Sequence, residues 1–238
     1  MAVIATLKAA NAQRWADAKL TRNFSPVARH LVAPGHKSRY QAVSARTGVP
    51  WAVVAVIHER ECSQDWTGSL AQGDPWDRVS THVPAGRGPF KSWEEAAVDA
   101  LSNCAPYAAR NKDWSIGGLL TKLEEYNGLG YAARGVPSPY VWSGTDQYRS
   151  GKYIRDGVYD PNAVDSQLGC AGLLMAMMTL DRDIDLDAKI PPATALPSTS
   201  KSRASDTAKP RPPSITQPAK GSIGDFIAAI LSAILRRK

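Results

Sequence analysis

The sequence predicts a mainly α-helical protein with a small β-hairpin or loop region, followed by a disordered linker and a short amphipathic C-terminal helix. Three observations lead to this prediction. Apolar residues recur at helical spacing in several segments of the first 188 residues. Gly and Pro are concentrated between residues 66 and 92, where loops are expected. Residues 191–222 hold seven of the 17 prolines and almost no large apolar side chains, so they cannot bury enough surface to fold.

The helices follow from periodicity and from turn residues along the chain. Gly48 and Pro50 separate two of them, and Ser92 is placed to cap another, with Glu95 three residues later completing a capping box. A small hairpin is expected around Ser80–Pro84. The last helix is a near-continuous apolar stretch, which is typical of a buried helix. Helices are predicted at residues 2–20, 40–47, 51–62, 92–103, 116–126 and 167–180.

The distribution of charge argues against a nucleic-acid partner. The formal net charge is +7, yet residues 1–188 contain 20 Lys and Arg against 20 Asp and Glu. The excess lies in residues 189–238, whereas a nucleic-acid-binding domain carries its basic patch on the folded body. The charged fraction of 21% and hydrophobic fraction of 43% exclude a wholly disordered chain. Three scattered cysteines and four scattered histidines predict no metal site and no cofactor, and we expect a monomer.

The most apolar helix, residues 51–62, ends in a carboxyl group. At 100° per residue Glu61 falls within the apolar arc of this helix, whereas Glu59 falls on the opposite side. Burial raises the pKa of a carboxyl group, which is what a general acid needs near neutral pH. The alternative is that Glu61 pairs with a cation such as Arg60 or Arg78. His58, one turn earlier, is expected to be structural and to bond the loop after the helix.

Asp74 is the candidate for a second carboxylate. It lies in the loop that follows the helix, and a chain folded back over the helix end would bring it towards Glu61. An inverting glycosidase needs its two carboxyl groups roughly 6.5–9.5 Å apart, so that a water fits between base and sugar. The alternative is a turn former, because Asp before Pro is common in turns.

Aromatic residues are concentrated in the second half of the body. Six of the eight tyrosines lie between residues 126 and 159, together with Trp142. Exposed aromatic faces with polar tips are good platforms for sugar rings, which makes Tyr140, Trp142 and Tyr148 candidates for substrate binding. The alternative is that these side chains pack the loops.

Three motifs carry a resemblance to a known superfamily: Ile57-His-Glu-Arg-Glu-Cys-Ser63, Gln72-Gly-Asp-Pro75 and Thr81-His-Val-Pro-Ala-Gly86. With them, residues 40–180 resemble the bacterial and phage lysozyme-family proteins related to goose-type lysozymes and soluble lytic transglycosylases. In that superfamily a catalytic Glu ends a buried helix and is usually followed by Ser. Glu61 matches this Glu, and Cys62 replaces the Ser.

A fourth motif supports the resemblance. Residues 124–128 look like the superfamily's later Tyr-Asn-Gly element, which implies that Tyr126 and Asn127 line the glycan cleft.

The resemblance implies a lysozyme-like catalytic domain over residues 1–188 that hydrolyses the β-1,4 bond between N-acetylmuramic acid and N-acetylglucosamine of peptidoglycan. Glu61 is then the general acid and Asp74 the candidate for the base that positions the water. A lytic transglycosylase would use the same Glu61 and let the C6 hydroxyl of the substrate attack, giving a 1,6-anhydro sugar. A chitinase-like glycosidase and a non-catalytic glycan-binding or phage structural protein are also compatible with these motifs.

The end of the chain predicts contact with a membrane surface. Residues 189–222 are interpreted as a flexible linker rich in Pro, Ser and Lys. Residues 223–238 place apolar side chains at helical spacing and end in Arg236-Arg237-Lys238, as in a basic amphipathic helix that lies on an anionic membrane. The same pattern would suit a helix that docks on the body or pairs with a second copy. Because the N-terminus does not resemble a secretory signal peptide, we expect a phage-type endolysin made in the cytoplasm and released through a holin.

Overall fold

The computed structural model describes residues 2–186, so the predicted linker 189–222 and the tail helix 223–238 lie outside the described residues. Over residues 2–186 the chain is mainly helical, as the sequence predicts. The helices are α1 Ala2–Asp17, α2 Ser25–Leu31, α3 Pro34–Thr47, α4 Trp51–Cys62, α5 Trp93–Asn103, α6 Ile116–Asn127, α7 Gly130–Ala133, α8 Pro139–Trp142 and α9 Cys170–Leu180. Within this part of the chain there is no helix with the length and apolar character that a membrane span requires.

Local sequence signals explain where several helices begin and end. The Ser92 hydroxyl accepts a hydrogen bond from the backbone N–H of Glu95 at 3.2 Å, which confirms the predicted cap of α5. Gly48 ends α3 in the left-handed conformation, with a φ of 72°. Helix α3 begins at Pro34, six residues before the predicted start, because Pro is well suited to the first turn of a helix.

The small β-hairpin lies elsewhere than predicted. Strands β1 Lys152–Arg155 and β2 Val158–Asp160 pair antiparallel, with Tyr153 opposite Tyr159. The turn between the strands is Asp156-Gly157, and Asp-Gly between strand-forming residues is a strong hairpin signal that the sequence analysis missed. Residues 80–84 contain no strand and form a loop instead, in which the Ser80 N–H donates to the carbonyl oxygen of Arg87 at 2.8 Å.

Helix α4 runs through the centre of the core. All residues from 52 to 58 are buried, and the helix packs against α3 and α9. Ala52 is as buried as Val53, so α4 has no solvent face along most of its length. The apolar arc therefore does not separate the two carboxylates as predicted, because Glu59 and Glu61 are both half-buried at the end of the helix.

Candidate active site

Glu61 lies in the last turn of α4 and meets a tyrosine from a distant part of the chain. The Tyr140 hydroxyl, on α8, donates a hydrogen bond to Glu61 Oε1 at 2.8 Å. The helix ends immediately afterwards, because Ser63 adopts a left-handed conformation with a φ of 51°. The carboxyl group of Glu61 is therefore at the end of a buried helix, half-buried and oriented by Tyr140.

Tyr126 belongs to the same cluster. Its hydroxyl donates to the carbonyl oxygen of Leu70 at 3.0 Å, which links α6 to the loop after α4. Burial, and then the nearby charge of Glu61, raise the pKa of both Tyr126 and Tyr140 well above the usual value. The structure thus brings together three of the residues that the sequence analysis selected: Glu61, Tyr126 and Tyr140.

Asn127 follows Tyr126 as the last residue of α6. It is half-buried, and its side-chain amide forms no hydrogen bond with any residue between 2 and 186. An amide in this position has both donors and its acceptor available for a ligand.

Asp74 lies in the loop that returns to the end of α4, as predicted. The loop lies in ordinary van der Waals contact with the helix end, since a Cβ atom on Gly73 would lie 3.8 Å from the Glu61 carbonyl oxygen. Asp74 Oδ2 accepts hydrogen bonds from the backbone N–H groups of Thr81 at 2.8 Å and His82 at 3.0 Å, and Oδ1 accepts one from His82 Nδ1 at 2.5 Å. Burial raises the pKa of Asp74, but these hydrogen bonds outweigh it and leave the pKa below its usual value.

The predicted sugar platform needs correction. Trp142 is fully buried, and its indole N–H donates to Asn11 Oδ1 at 3.3 Å. Tyr148 is buried too, and its hydroxyl donates to the carbonyl oxygen of Gly151 at 3.3 Å. Neither side chain offers an exposed ring face to a sugar, because both are packed in the core with their polar atoms satisfied internally. Tyr140 is also buried and contributes its hydroxyl to the site, not its ring face.

A buried ion pair next to Glu61 was not predicted. Arg60 Nη2 donates to Asp165 Oδ2 at 2.9 Å, and Lys152 Nζ donates to Asp165 Oδ1 at 2.8 Å. Burial raises the pKa of Asp165, but the charges of Arg60 and Lys152 outweigh this effect, so its pKa lies below the usual value. Asp165 lies in a polar turn before α9, and nothing in its local sequence distinguishes it from a surface residue.

His58 has the structural role that the sequence analysis predicts. Its Nε2 donates to the carbonyl oxygen of Asp65 in the loop after α4 at 3.1 Å, and its Nδ1 accepts from the Tyr40 hydroxyl at 3.0 Å. Burial lowers the pKa of His58 to about 4, so the ring is neutral at physiological pH. Residues 2–186 contain no group of three His, Cys, Asp or Glu side chains that could hold a metal ion.

Comparisons with known proteins do not assign the chain to a family. No protein-family model matches it, and no curated protein and no solved structure is significantly similar to it. A functional assignment therefore depends on the sequence motifs around Glu61 and on the geometry of the cluster.

Proposed function

We propose that this chain is a peptidoglycan-degrading muramidase of the phage endolysin type, with Glu61 as the general acid. The observation that carries the proposal is the position of the Glu61 carboxyl group, at the end of a buried helix and 2.8 Å from the Tyr140 hydroxyl. A general acid must be partly shielded from water and held in one orientation towards the atom that it protonates. Here that atom is the glycosidic oxygen between N-acetylmuramic acid and N-acetylglucosamine.

Asp74 supports the hydrolytic form of the reaction. The hydrogen bonds from Thr81 and His82 keep its carboxylate ionised, as a base that polarises a water must be. Oδ1 accepts a single hydrogen bond from the described residues, that of His82, and a carboxylate oxygen has a second lone pair with which to accept a water. In the hydrolase, that water gives a proton to Asp74 and attacks the anomeric carbon, while the glycosidic C–O bond breaks and the Glu61 proton moves to the departing oxygen.

A lytic transglycosylase is the second candidate function. The observation in its favour is that four hydrogen bonds hold the Asp74 carboxylate to the loop at residues 81–82. A carboxylate whose only role is to stabilise a loop would form the same hydrogen bonds. Without a base to position a water, the C6 hydroxyl of the substrate would close the ring on the anomeric carbon.

The test compares Glu61→Gln with Glu59→Gln on purified peptidoglycan. Glu59 is the matched control, since it lies on the same helix end, is also half-buried, and accepts a hydrogen bond from Gln64 at 2.7 Å. We expect Glu61→Gln to slow the loss of turbidity by roughly 10²–10⁴-fold with an unchanged melting temperature, and Glu59→Gln to retain activity. Full activity of folded Glu61→Gln would refute the assignment.

The product masses decide between the two reactions. Fragments that carry an added water identify a hydrolase, whereas 1,6-anhydro fragments, lighter by one water, identify a transglycosylase. If the wild-type protein released no fragments, a non-catalytic glycan-binding or phage structural protein would replace both.

We also propose that residues 223–238 bring the enzyme to an anionic membrane after holin-dependent release. The support is the sequence pattern, in which an apolar face is joined to the basic end Arg236-Arg237-Lys238. Deleting residues 221–238 should reduce binding to anionic vesicles and lysis of whole cells, while activity on purified peptidoglycan is retained. Equal losses in all assays would assign the tail a structural role.

A further inference from the structure

Arg60 and Asp165 form a buried ion pair to which the proposed reaction assigns no role. We propose that this pair positions the Tyr140 ring, and that Tyr140 in turn holds the Glu61 carboxyl group in the orientation for proton transfer. Asp165, Arg60 and Tyr140 are called the buried relay below. The inference rests on the proposed role of Glu61 and makes the members of the relay positioning residues.

The first step of the relay fixes Asp165. The residue is 2% exposed, and its two carboxylate oxygens accept from Arg60 and from Lys152. Its backbone N–H donates to the Tyr148 hydroxyl at 3.2 Å. Arg60, Lys152 and Tyr148 thus hold Asp165 in place. Asp165 in turn holds the guanidinium of Arg60 opposite its carboxylate.

The second step connects Arg60 to Tyr140. Arg60 is 7% exposed, and its Nη1 donates to the carbonyl oxygen of Leu168 at 3.2 Å. The guanidinium carbon lies 4.7 Å from the centre of the Tyr140 ring, within the range of a cation–π contact. The cation draws electron density from the ring, which makes the phenolic hydroxyl a stronger hydrogen-bond donor. That hydroxyl donates to Glu61 Oε1.

Stability alone does not explain the pair. Burying an Arg and an Asp costs so much hydration that well-packed apolar residues of similar volume often do as well or better. An apolar pair, however, could not place a positive charge against the ring of Tyr140. Arg60 also directly precedes Glu61 on α4, so the buried ion pair lies beside the proposed acid in the chain as well as behind Tyr140.

The ionisable groups that face the relay come from five elements and one loop. The Cys170 thiol is neutral, since burial raises its pKa, and Tyr126 is neutral for the same reason. Apart from the Glu61 carboxyl group, the charged groups at the relay are therefore Arg60, Asp165 and Lys152. The groups that face the relay are Glu61 on α4, Tyr126 on α6, Tyr131 on α7, Tyr148 in the loop after α8, Lys152 on β1 and Cys170 on α9.

The test uses two variants with opposite expected effects on the pH dependence of kcat. Activity is lost on the alkaline side when the general acid loses its proton. Tyr140→Phe removes a hydrogen bond to the carboxylate, so we expect its alkaline limb to move to higher pH. Asp165→Asn leaves the charge of Arg60 less compensated, so we expect its alkaline limb to move to lower pH. In both variants kcat should fall while KM stays within about twofold, since neither residue is exposed to substrate.

Tyr40→Phe is the control for the loss of a buried tyrosine hydroxyl, since Tyr40 bonds His58 and not the site. We expect it to leave the alkaline limb in place. Melting temperatures establish that each variant folds. If Asp165→Asn does not fold, Arg60→Lys takes its place, because it keeps the positive charge but removes the guanidinium that lies 4.7 Å from the centre of the Tyr140 ring. An unchanged alkaline limb in folded Arg60→Lys would then contradict the relay.

A readout that does not need activity separates this inference from the proposed function. NMR titration of the Glu61 carboxyl carbon in the full chain should show its midpoint at higher pH in Tyr140→Phe and at lower pH in Asp165→Asn than in the wild type. If the wild type is active and folded Asp165→Asn leaves both the alkaline limb and the NMR titration unchanged, the relay alone is overturned, even where Tyr140→Phe moves them. A wild type without activity on peptidoglycan would overturn the proposed function, and the inference with it.

Discussion

Glu124 is predicted to make the protein less stable as the pH rises. The residue lies on α6 and is 1% exposed, and its Oε1 has no hydrogen-bond partner within residues 2–186. Oε2 accepts a weak hydrogen bond from Asn11 Nδ2 at 3.5 Å. Burial raises the pKa of Glu124 to about 7, and the opposing effects of Asn11 and the Arg14 charge are smaller. Glu124 is therefore neutral in the folded protein at acidic pH.

The size of the effect follows from the two pKa values. An unfolded Glu has its ordinary value of 4.5, so between pH 4.5 and about 7 the folded protein binds the extra proton. Stability falls with rising pH wherever the folded state binds more protons than the unfolded state. The complete loss is about 3 kcal/mol, of which about 2–3 kcal/mol falls between pH 5 and pH 8. Glu124→Gln has a similar shape and no charge, so this loss should disappear.

Urea denaturation of wild type and Glu124→Gln at pH 5 and pH 8 measures the effect. The difference between the two proteins isolates Glu124, because the titration of every histidine is common to both. Glu125→Gln is the matched control, since Glu125 is its neighbour on α6 but is only half-buried and paired with Lys122. The reasoning is refuted if the difference in unfolding free energy between wild type and Glu124→Gln is the same at both pH values.

Two further predictions concern a buried histidine and the packing of α6 on α1. His58→Gln should lose less stability than wild type when the pH falls from 7 to 4.5. The reason is that the pKa of His58 is lowered to about 4 in the folded protein, so over this range the unfolded chain binds a proton that the folded one does not. Melting temperatures at the two pH values measure the effect, and an equal fall in both proteins would contradict it. Gly117→Ala should lower the free energy of unfolding, measured by urea denaturation, by about 1–3 kcal/mol, because its Cβ would lie 2.6 Å from the Lys8 carbonyl oxygen of α1. Gly35→Ala is the control, since the space around Gly35 is open and its Cβ should not destabilise the protein.

Much of the helical architecture could be predicted from the sequence because its signals are local. The cap at Ser92 involves a residue only three positions later, Glu95, and the end of α3 is set by a single residue, Gly48. The signal for the hairpin was equally local, because Asp156-Gly157 forms the turn between β1 and β2. The loop at residues 80–84 is different, because it is held by Asp74, seven and eight residues earlier, through Thr81 and His82.

Sequence patterns selected three residues of the candidate site, Glu61, Tyr126 and Tyr140, but not the contacts that these residues make. The end of an apolar helix indicated Glu61, but Tyr140 is 79 residues away, and no local pattern shows which tyrosine reaches the carboxyl group. Composition also could not distinguish a ring that faces a ligand from one that fills the core. Trp142 lies in the core, where its indole N–H donates to Asn11 of α1, a residue 131 positions earlier in the chain.

Asp165 and Glu124 show why burial alone does not determine the state of a carboxyl group near this site. Both are almost completely buried, and burial raises the pKa of each. Asp165 faces the charges of Arg60 and Lys152, which outweigh the loss of hydration and keep it ionised. Glu124 faces the neutral amide of Asn11, too weak a partner to do the same. For these two buried carboxyl groups the difference in pKa therefore follows from the cations that the fold brings to them, and for Glu61 the buried cation to be tested is Arg60, acting through Tyr140.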